Sequence, residues 1–451
     1  MKRVCTLRRI RRQLCLSLFL TEFALSGAQP ATNWPAGAPA SDLLTPGRLS
    51  LGEAQRIAFQ RNWDLLAAKS GVELATAQLL VAKEFPNPNF SWSTLKIDPN
   101  GNATSLGNGL WERSYDTIVS VSQLVEIGGK RYARQTSARS GITAARARFL
   151  DARRSLNQGV TKAYVAALLA DENARVLEQS ASALRREAEI AEARFKAGEI
   201  SDSDRKQIQN SAEVFDLQAK SAKTAALQAR ISIEVLLGVK DAKGQWIAQD
   251  SLESLGLSVS PDEVPGAAGI RPDVLAAEAD LRKAEADLDL QKAQRIPDPT
   301  FSLFYERNPP GMPGPDTFGL GVSFPLPLWN RNRGNIHAAE ASKEQSALSL
   351  GKISAQSQAD IATAELAYEE ARQRLRQYQE QIRPRSAQVR QSIAFAYSKG
   401  GASLVDLLTA ERDDNNVRLA TAQALSDAAS TAADLKAART IVSETELTQL
   451  P

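Results

Sequence analysis

No proline interrupts the chain between Pro99 and Pro261, and much of that interval is built from Ala, Arg, Glu, Gln and Leu. These are strong helix formers, and proline is the residue that most surely ends a helix. The run predicts one helix over residues 129–195, about 100 Å long at 1.5 Å per residue. An element of that length cannot fold back inside a compact domain, so the body must be a long helical one. Residues 335–397 read the same way, with Pro384 predicting a kink. Ala362, Leu366, Ala367, Leu375 and Tyr378 recur along it at helical steps. The composition, 24% charged and 6% aromatic, agrees.

The chain also carries one plan twice. Asp64-Leu65-Leu66-Ala67-Ala68 returns as Asp273-Val274-Leu275-Ala276-Ala277, and Pro86-Asn87-Pro88-Asn89-Phe90 returns as Pro297-Asp298-Pro299-Thr300-Phe301. Phe195-x-x-Gly198-x-x-Ser201-x-x-Asp204 matches Tyr397-x-x-Gly400-x-x-Ser403-x-x-Asp406 with identical internal spacing. Three matches in one order, at offsets of 209, 211 and 202, point to a duplication. Each half reads helix, strand pair, very long helix, turn, long helix. Repeat 1 is assigned to residues 49–238 and repeat 2 to 271–443. The strands are expected near 90–97, 115–125, 300–307 and 317–324, and the long helices near 129–195, 201–237, 335–397 and 403–441. Residues 29–48 read as a linker, 239–270 as an equatorial segment and 444–451 as a tail.

A coiled-coil rod would fit the helices alone. Small residues such as Ala144, Ala145, Ala147, Ala166 and Ala167 favour a packed wall instead, because they allow close approach on several sides. The strands then decide. In Phe318-Gly319-Leu320-Gly321-Val322-Ser323-Phe324 large apolar residues alternate with Gly or Ser, and Val119-Ser120-Val121-Ser122 has the same period. Turn-rich segments at residues 98–102 and 308–315 complete one hairpin per half. The face made by Thr317, Gly319, Gly321 and Ser323 suits a water-filled lumen, with lipid on the other side. A barrel of four strands has no open channel, and open edges in lipid leave backbone groups unpaired. Three copies would make twelve strands.

The N-terminus reads as a signal peptide over residues 1–28: basic residues from Lys2 to Arg12, an apolar core at 14–20, and Ser26-Gly27-Ala28 before the cut. Cys5 and Cys15 leave with it, and Arg12-Gln13-Leu14 before Cys15 argues against lipidation. The formal charge is +3, of which residues 1–28 hold +5, so the mature chain sits near −2. That balance argues against nucleic acid as the partner. No later apolar stretch is expected to span a bilayer as a helix. Catalysis has little to stand on. His337 is the one histidine and is expected at a surface, Met312 is the one mature methionine, and no cysteine remains, so neither a metal site nor a cofactor is expected. Gly129-Lys130 lacks the frame of a phosphate loop. Pairs such as Asp202 with Asp204, or Asp413 with Asp414, read as solvated helix charges.

Taken in order, these residues resemble the TolC-like outer-membrane efflux family over essentially the whole mature chain. Leu49-Ser50-Leu51-Gly52-Glu53-Ala54 with Asn62-Trp63-Asp64-Leu65 looks like its opening helix, and the run from Arg271 to Glu278 like the start of its second repeat. The run from Phe324 to Gly334 is similar to its second barrel-to-helix junction. Gln123-Leu124-Val125-Glu126-Ile127-Gly128-Gly129-Lys130-Arg131 resembles most the heavy-metal branch, the CzcC-like ducts. On the residues alone, Lys130 and Arg131 fit solvated charges at a helix start equally well.

The resemblance implies a mostly helical homotrimer with a small barrel in the outer membrane and a helical tunnel in the periplasm. It would dock on a periplasmic adaptor and an inner-membrane RND-type pump and act as a passive conduit that exports heavy-metal cations from the periplasm. The turns at Gly198 and Gly400, followed by the caps Ser201 and Ser403, would form the tip. Tyr397 would tie one hairpin to Asp204 on the other, and Asp406 would ring the constriction. Two positions depart: Ala402 replaces a basic latch residue of the family's best-known member, and Thr409 a second ring aspartate. A duct for organic solutes, a periplasmic adaptor and a coiled-coil structural protein are the competing readings.

Overall fold

The computed structural model describes residues 47–95, 116–258, 270–307 and 315–442. The expected leader with Cys5 and Cys15, the hairpin tips, Met312 and the C-terminal tail lie outside the described residues.

Strand β1 (Arg48–Leu49) leads into α1 (Leu51–Arg61), which opens on a capping box. The Glu53 N–H donates to Ser50 Oγ at 3.3 Å, and the Ser50 N–H to Glu53 Oε2 at 3.1 Å. Asn62 then separates α1 from α2 (Trp63–Lys83) and serves both. Its Oδ1 accepts from the Leu65 N–H at 3.0 Å, while its Nδ2 donates to the Leu236 carbonyl at 3.0 Å. A hairpin of β2 (Asn89–Leu95) and β3 (Asp116–Leu124) follows, then α3 (Lys130–Lys196). At 67 residues α3 is about 100 Å long. It turns into α4 (Asp202–Leu236). The short β4 (Ile247–Ala248) pairs in parallel with β1, and α5 (Leu252–Ser258) closes this half.

The second half starts at the bridge between Ile270 and Val442, with Pro272 in the first turn of α6 (Pro272–Ala293). Then come β5 (Thr300–Arg307), β6 (Thr317–Ser323), α7 (Arg333–Gln377), α8 (Arg383–Ser398) and α9 (Leu404–Ala438). Between α7 and α8 lies a π-helical segment, Tyr378–Ile382. Pro384 accounts for it. Its missing N–H would leave the Glu380 carbonyl unpaired in a regular helix, and the wider turn absorbs the fault.

Alanine makes the close packing possible. Ala144, Ala147 and Ala167 of α3 are buried, as are Ala276, Ala279 and Ala284 of α6 and Ala424, Ala428 and Ala432 of α9. Ala145 is half-buried and Ala166 exposed, so the small seam is narrower than the sequence predicted. Helix α3 packs against α2, α4, α6 and α9, and α7 packs against α6 and α9. On α7 the helical period is present, but only part of the spaced set is buried. Ala364, Tyr368, Ala371 and Leu375 are buried, whereas Leu366 is 75% exposed and Ala362 and Ala367 are exposed with it. Helix α2 is, among the described helices, long and apolar enough to cross a bilayer by length and composition. The sequence expectation missed it because Lys69 and Glu73 break the run. It lies along α3 through Leu65, Val72, Ala75 and Ala82.

The main core sits where β1, β4, mid-α3 and the end of α4 meet. Trp246 is fully buried and stacks on Tyr164 with ring centroids 5.9 Å apart. Each such side chain contributes about 1.5–3 kcal/mol by leaving water. The Tyr164 hydroxyl shares its one proton between the Leu49 carbonyl at 2.8 Å and Asp250 at 3.0 Å, and Asp250 also accepts the Leu51 N–H at 2.8 Å. Burial, then the Asp250 charge, raises the Tyr164 pKa and keeps the phenol a donor.

Candidate functional site

Both turns between long helices are Schellman motifs followed by a serine cap. After α3 the Gly198 N–H donates to the Phe195 carbonyl at 2.9 Å and the Glu199 N–H to the Arg194 carbonyl at 2.9 Å. After α8 the Gly400 N–H donates to the Tyr397 carbonyl at 3.0 Å and the Gly401 N–H to the Ala396 carbonyl at 2.8 Å. Gly198 and Gly400 take φ of 76° and 77°, the left-handed conformation that closes such a motif. Ser201 then caps α4, its Oγ accepting from the Asp204 N–H at 3.1 Å. Ser403 caps α9 the same way at 3.2 Å, and Asp406 returns the bond by accepting the Ser403 N–H at 3.0 Å. The Ser403 hydroxyl and then its N–H hold the Asp406 carboxyl below the usual carboxylate range.

The tie expected between Tyr397 and Asp204 is not made. Among the described residues no hydrogen bond joins them: Asp204 Oδ2 accepts the Ser201 hydroxyl at 2.8 Å, and the Arg194 guanidinium lies 6.0 Å from the Tyr397 ring centroid. A carboxylate in the first turn of a helix is drawn to its own cap, and a ring beside an arginine is held by that cation. Higher up, Ser180 donates to Asn415 at 3.0 Å and Arg418 to Gln179 at 2.5 Å, linking α3 to α9. Asp202 is paired with Arg205 at 2.6 Å and Lys206 at 2.8 Å. Asp414 is not a solvated charge. It is buried, accepts from Ser386 at 3.0 Å and faces Arg390 at 3.3 Å, while Asp413 is exposed. His337 is exposed, 3.1 Å from Glu340. Among the described residues no cluster of His, Cys, Asp or Glu could hold a metal.

At the other end β2, β3, β5 and β6 form one antiparallel sheet in that order. Register puts Trp92, Val119, Tyr305 and Phe318 in one row and Phe90, Val121, Leu303 and Leu320 in the next. All lie on one face, where Phe90, Trp92, Val121, Leu303, Phe318 and Leu320 are exposed. The opposite face carries Ser91, Ser120, Ser122, Ser302, Gly319 and Gly321, and the Ser91 and Ser120 hydroxyls meet at 2.9 Å. This face also carries three larger side chains, Ile118, Phe304 and Glu306. Phe304 lies over Gly319, where a Cβ would come 2.2 Å from its ring. The glycine is therefore required by the aromatic opposite it, a pairing that only strand register reveals.

Where strands become helices the structure settles the role of Lys130. It is 7% exposed, and its Nζ reaches Asp298 at 2.6 Å and the Ile296 carbonyl at 2.5 Å. Arg131 covers the Phe85 ring, 3.5 Å from its centroid. Neither is a solvated charge, and only the position of Asp298 across the sheet could have told so.

The sequence model of the family described as outer membrane efflux protein matches residues 56–239 and 266–439. The cobalt-zinc-cadmium resistance protein CzcC of Cupriavidus metallidurans is 25% identical over 406 residues, covering 88% of this chain and 91% of its own. The nickel-cobalt-cadmium resistance protein NccC of Alcaligenes xylosoxydans xylosoxydans is 25% identical over 339 residues, 74% of this chain and 70% of its own. Among solved structures, CusC superposes with a TM-score of 0.72 at 18% identity, over 87% of this chain and 92% of its own. A membrane protein from Pseudomonas aeruginosa gives 0.72 at 18%, over 86% and 93%.

Proposed function

The chain belongs to the outer membrane efflux protein family, and on that premise we propose that it is the exit duct of a tripartite system exporting heavy-metal cations. As a member it is a channel and not an enzyme, placed in the outer membrane and reaching into the periplasm. The observation that carries the duct reading is the sheet. A continuous apolar face stands exposed opposite a small polar one, and the outer strands β2 and β6 are paired on one side only. In lipid each unpaired backbone group costs several kcal/mol. Three copies remove every edge if β6 of each pairs with β2 of the next, antiparallel, giving twelve strands around a polar lumen.

The element order of residues 49–238 returns in 271–443, which supports a duplicated unit joined by an equatorial segment at 239–270. The turns at Gly198 and Gly400 then form the periplasmic tip, the surface offered to an adaptor and, beyond it, an RND-type pump. Asp406, brought together in three copies, supplies a ring of carboxylates that favours cations. With no Tyr397–Asp204 bond, closure rests on Arg194 against Tyr397 and on the Ser180–Asn415 link. The cargo class follows the similarity to the two metal-resistance proteins.

A deletion strain should lose tolerance to zinc, cobalt and cadmium and regain it from a plasmid copy. Unchanged metal tolerance with new sensitivity to dyes or detergents would make the cargo organic. In planar bilayers Arg194→Ala with Tyr397→Ala should raise single-channel conductance several-fold, and Tyr397→Phe should leave it unchanged.

A further inference from the structure

The two strand-to-helix exits share a plan but not a partner. The first, after β3, is docked inside the chain on the segment that leads into β5. The Val125 N–H donates to the Pro299 carbonyl at 2.9 Å, and the Ile127 N–H to Asp298 at 2.9 Å. Gly128 lies against Ile296, where a Cβ would come within 3.0 Å of its Cδ1, and Lys130 binds Asp298 and the Ile296 carbonyl. Gly129, with φ of 77°, precedes Lys130, the first residue of α3.

The second exit, residues 324–332 after β6, ends alike. Asn332, at φ 58°, precedes Arg333, the first residue of α7. This strap has a defined shape. The Leu328 N–H donates to the Leu326 carbonyl at 2.9 Å, and Asn332 Nδ2 to the Gln291 carbonyl at 2.7 Å. Yet its apolar side chains touch little: Phe324, Leu326 and Leu328 are exposed, and Trp329 is 93% exposed.

The surface that would receive it exists at the other edge of the sheet. Pro86-Asn87-Pro88 corresponds to Pro297-Asp298-Pro299, which sets Phe85 at the place of Ile296 and Asn87 at that of Asp298. Phe85 is 68% exposed with Arg131 stacked on it, and Glu84 beside it is an exposed anion. Within one chain the strap and this shelf belong to the outermost strands, three spacings or about 14 Å apart, too far to meet. Between copies they become neighbours once β6 pairs with β2.

We propose that residues 324–333 dock on residues 84–88 of a second copy, Trp329 packing on Phe85 and Arg333 taking the position that Lys130 fills inside the chain. The inference rests on the trimeric reading above and names its subunit seam.

Cysteine pairs test it in full-length protein carrying Cys5→Ser and Cys15→Ser, in outer-membrane vesicles with a short bis-maleimide. Phe85→Cys with Trp329→Cys should give a ladder of dimer and trimer that neither single variant gives. Phe90→Cys with Val322→Cys, across the strand edges, should do the same. A ladder from the edge pair without one from the strap pair overturns the docking and leaves the trimer standing; no ladder from either overturns both. Brominated phospholipid that quenches native fluorescence well beyond that of Trp329→Phe would show the tryptophan in lipid, and also overturns the docking. Arg333→Glu should lose most of the gel-stable trimer, and adding Asn87→Lys should restore it; an undiminished trimer removes Arg333 from the seam.

Discussion

The two helical turns of this chain close alike, each on a left-handed glycine and a serine cap, while the two strand exits at the opposite end differ in nearly every contact. At Gly198 and Gly400 a few adjacent residues decide the outcome: a left-handed glycine closes one helix and a serine opens the next. At Lys130 and Arg333 the local geometry is again similar, but what each exit binds depends on which strand stands beside it. Local chemistry survives repetition of a unit. Environment does not, because one copy is interior to the sheet and the other is at its margin.

The largest expected effect would sharpen that contrast. Lys130→Met leaves Asp298 without its cation, and loss of one partner from a buried pair should destabilise the fold by about 3 kcal/mol. Arg333→Met should leave the unfolding of the single chain unchanged. Equal losses on thermal denaturation would break the comparison. Next, Gly198→Ala and Gly400→Ala should each cost about 1–2 kcal/mol, since each forces a Cβ into the left-handed region with no other clash recorded. A difference above about 0.5 kcal/mol between them would show that the turns are not equivalent. Smaller again, Ser201→Ala and Ser403→Ala should cost about 1 kcal/mol, with Ser403 the greater because its box is reciprocal.

The smallest effect is in acid. The Asp406 carboxyl is held low in the folded chain, so its contribution is complete above the unfolded carboxylate value of about 3.9. It is lost as pH falls through the lowered folded value. The stability gap between native protein and Asp406→Asn should therefore be constant from pH 7 to 5 and narrow as the pH falls below the ordinary carboxylate range in denaturant titrations. A gap that persists at pH 2 would assign the effect to shape and not to charge.

Much of this architecture was legible in the residues. The proline gap located α3, and the glycine and serine spacing located both turns because each depends on neighbours within one helical turn. The sheet was legible because a period of two needs no partner to be seen. What escaped depended on distance in space. Helical spacing on α7 does not say which residues face α6 and α9, so it could not separate exposed Leu366 from buried Tyr368 and Leu375. Asp204 has its own cap within reach, and that nearer donor took the carboxylate assigned to Tyr397. Phe304 on the small face could not be anticipated without knowing that Gly319 stands opposite.

The π turn at Tyr378–Ile382 has a mechanical consequence. Of the two long legs that run toward the tip, α3 is an unbroken beam, whereas the α7–α8 leg has an elbow where the backbone ladder is already loosened. A load applied at the far end should therefore be taken up first at that joint, and a bend in this chain should be one-sided.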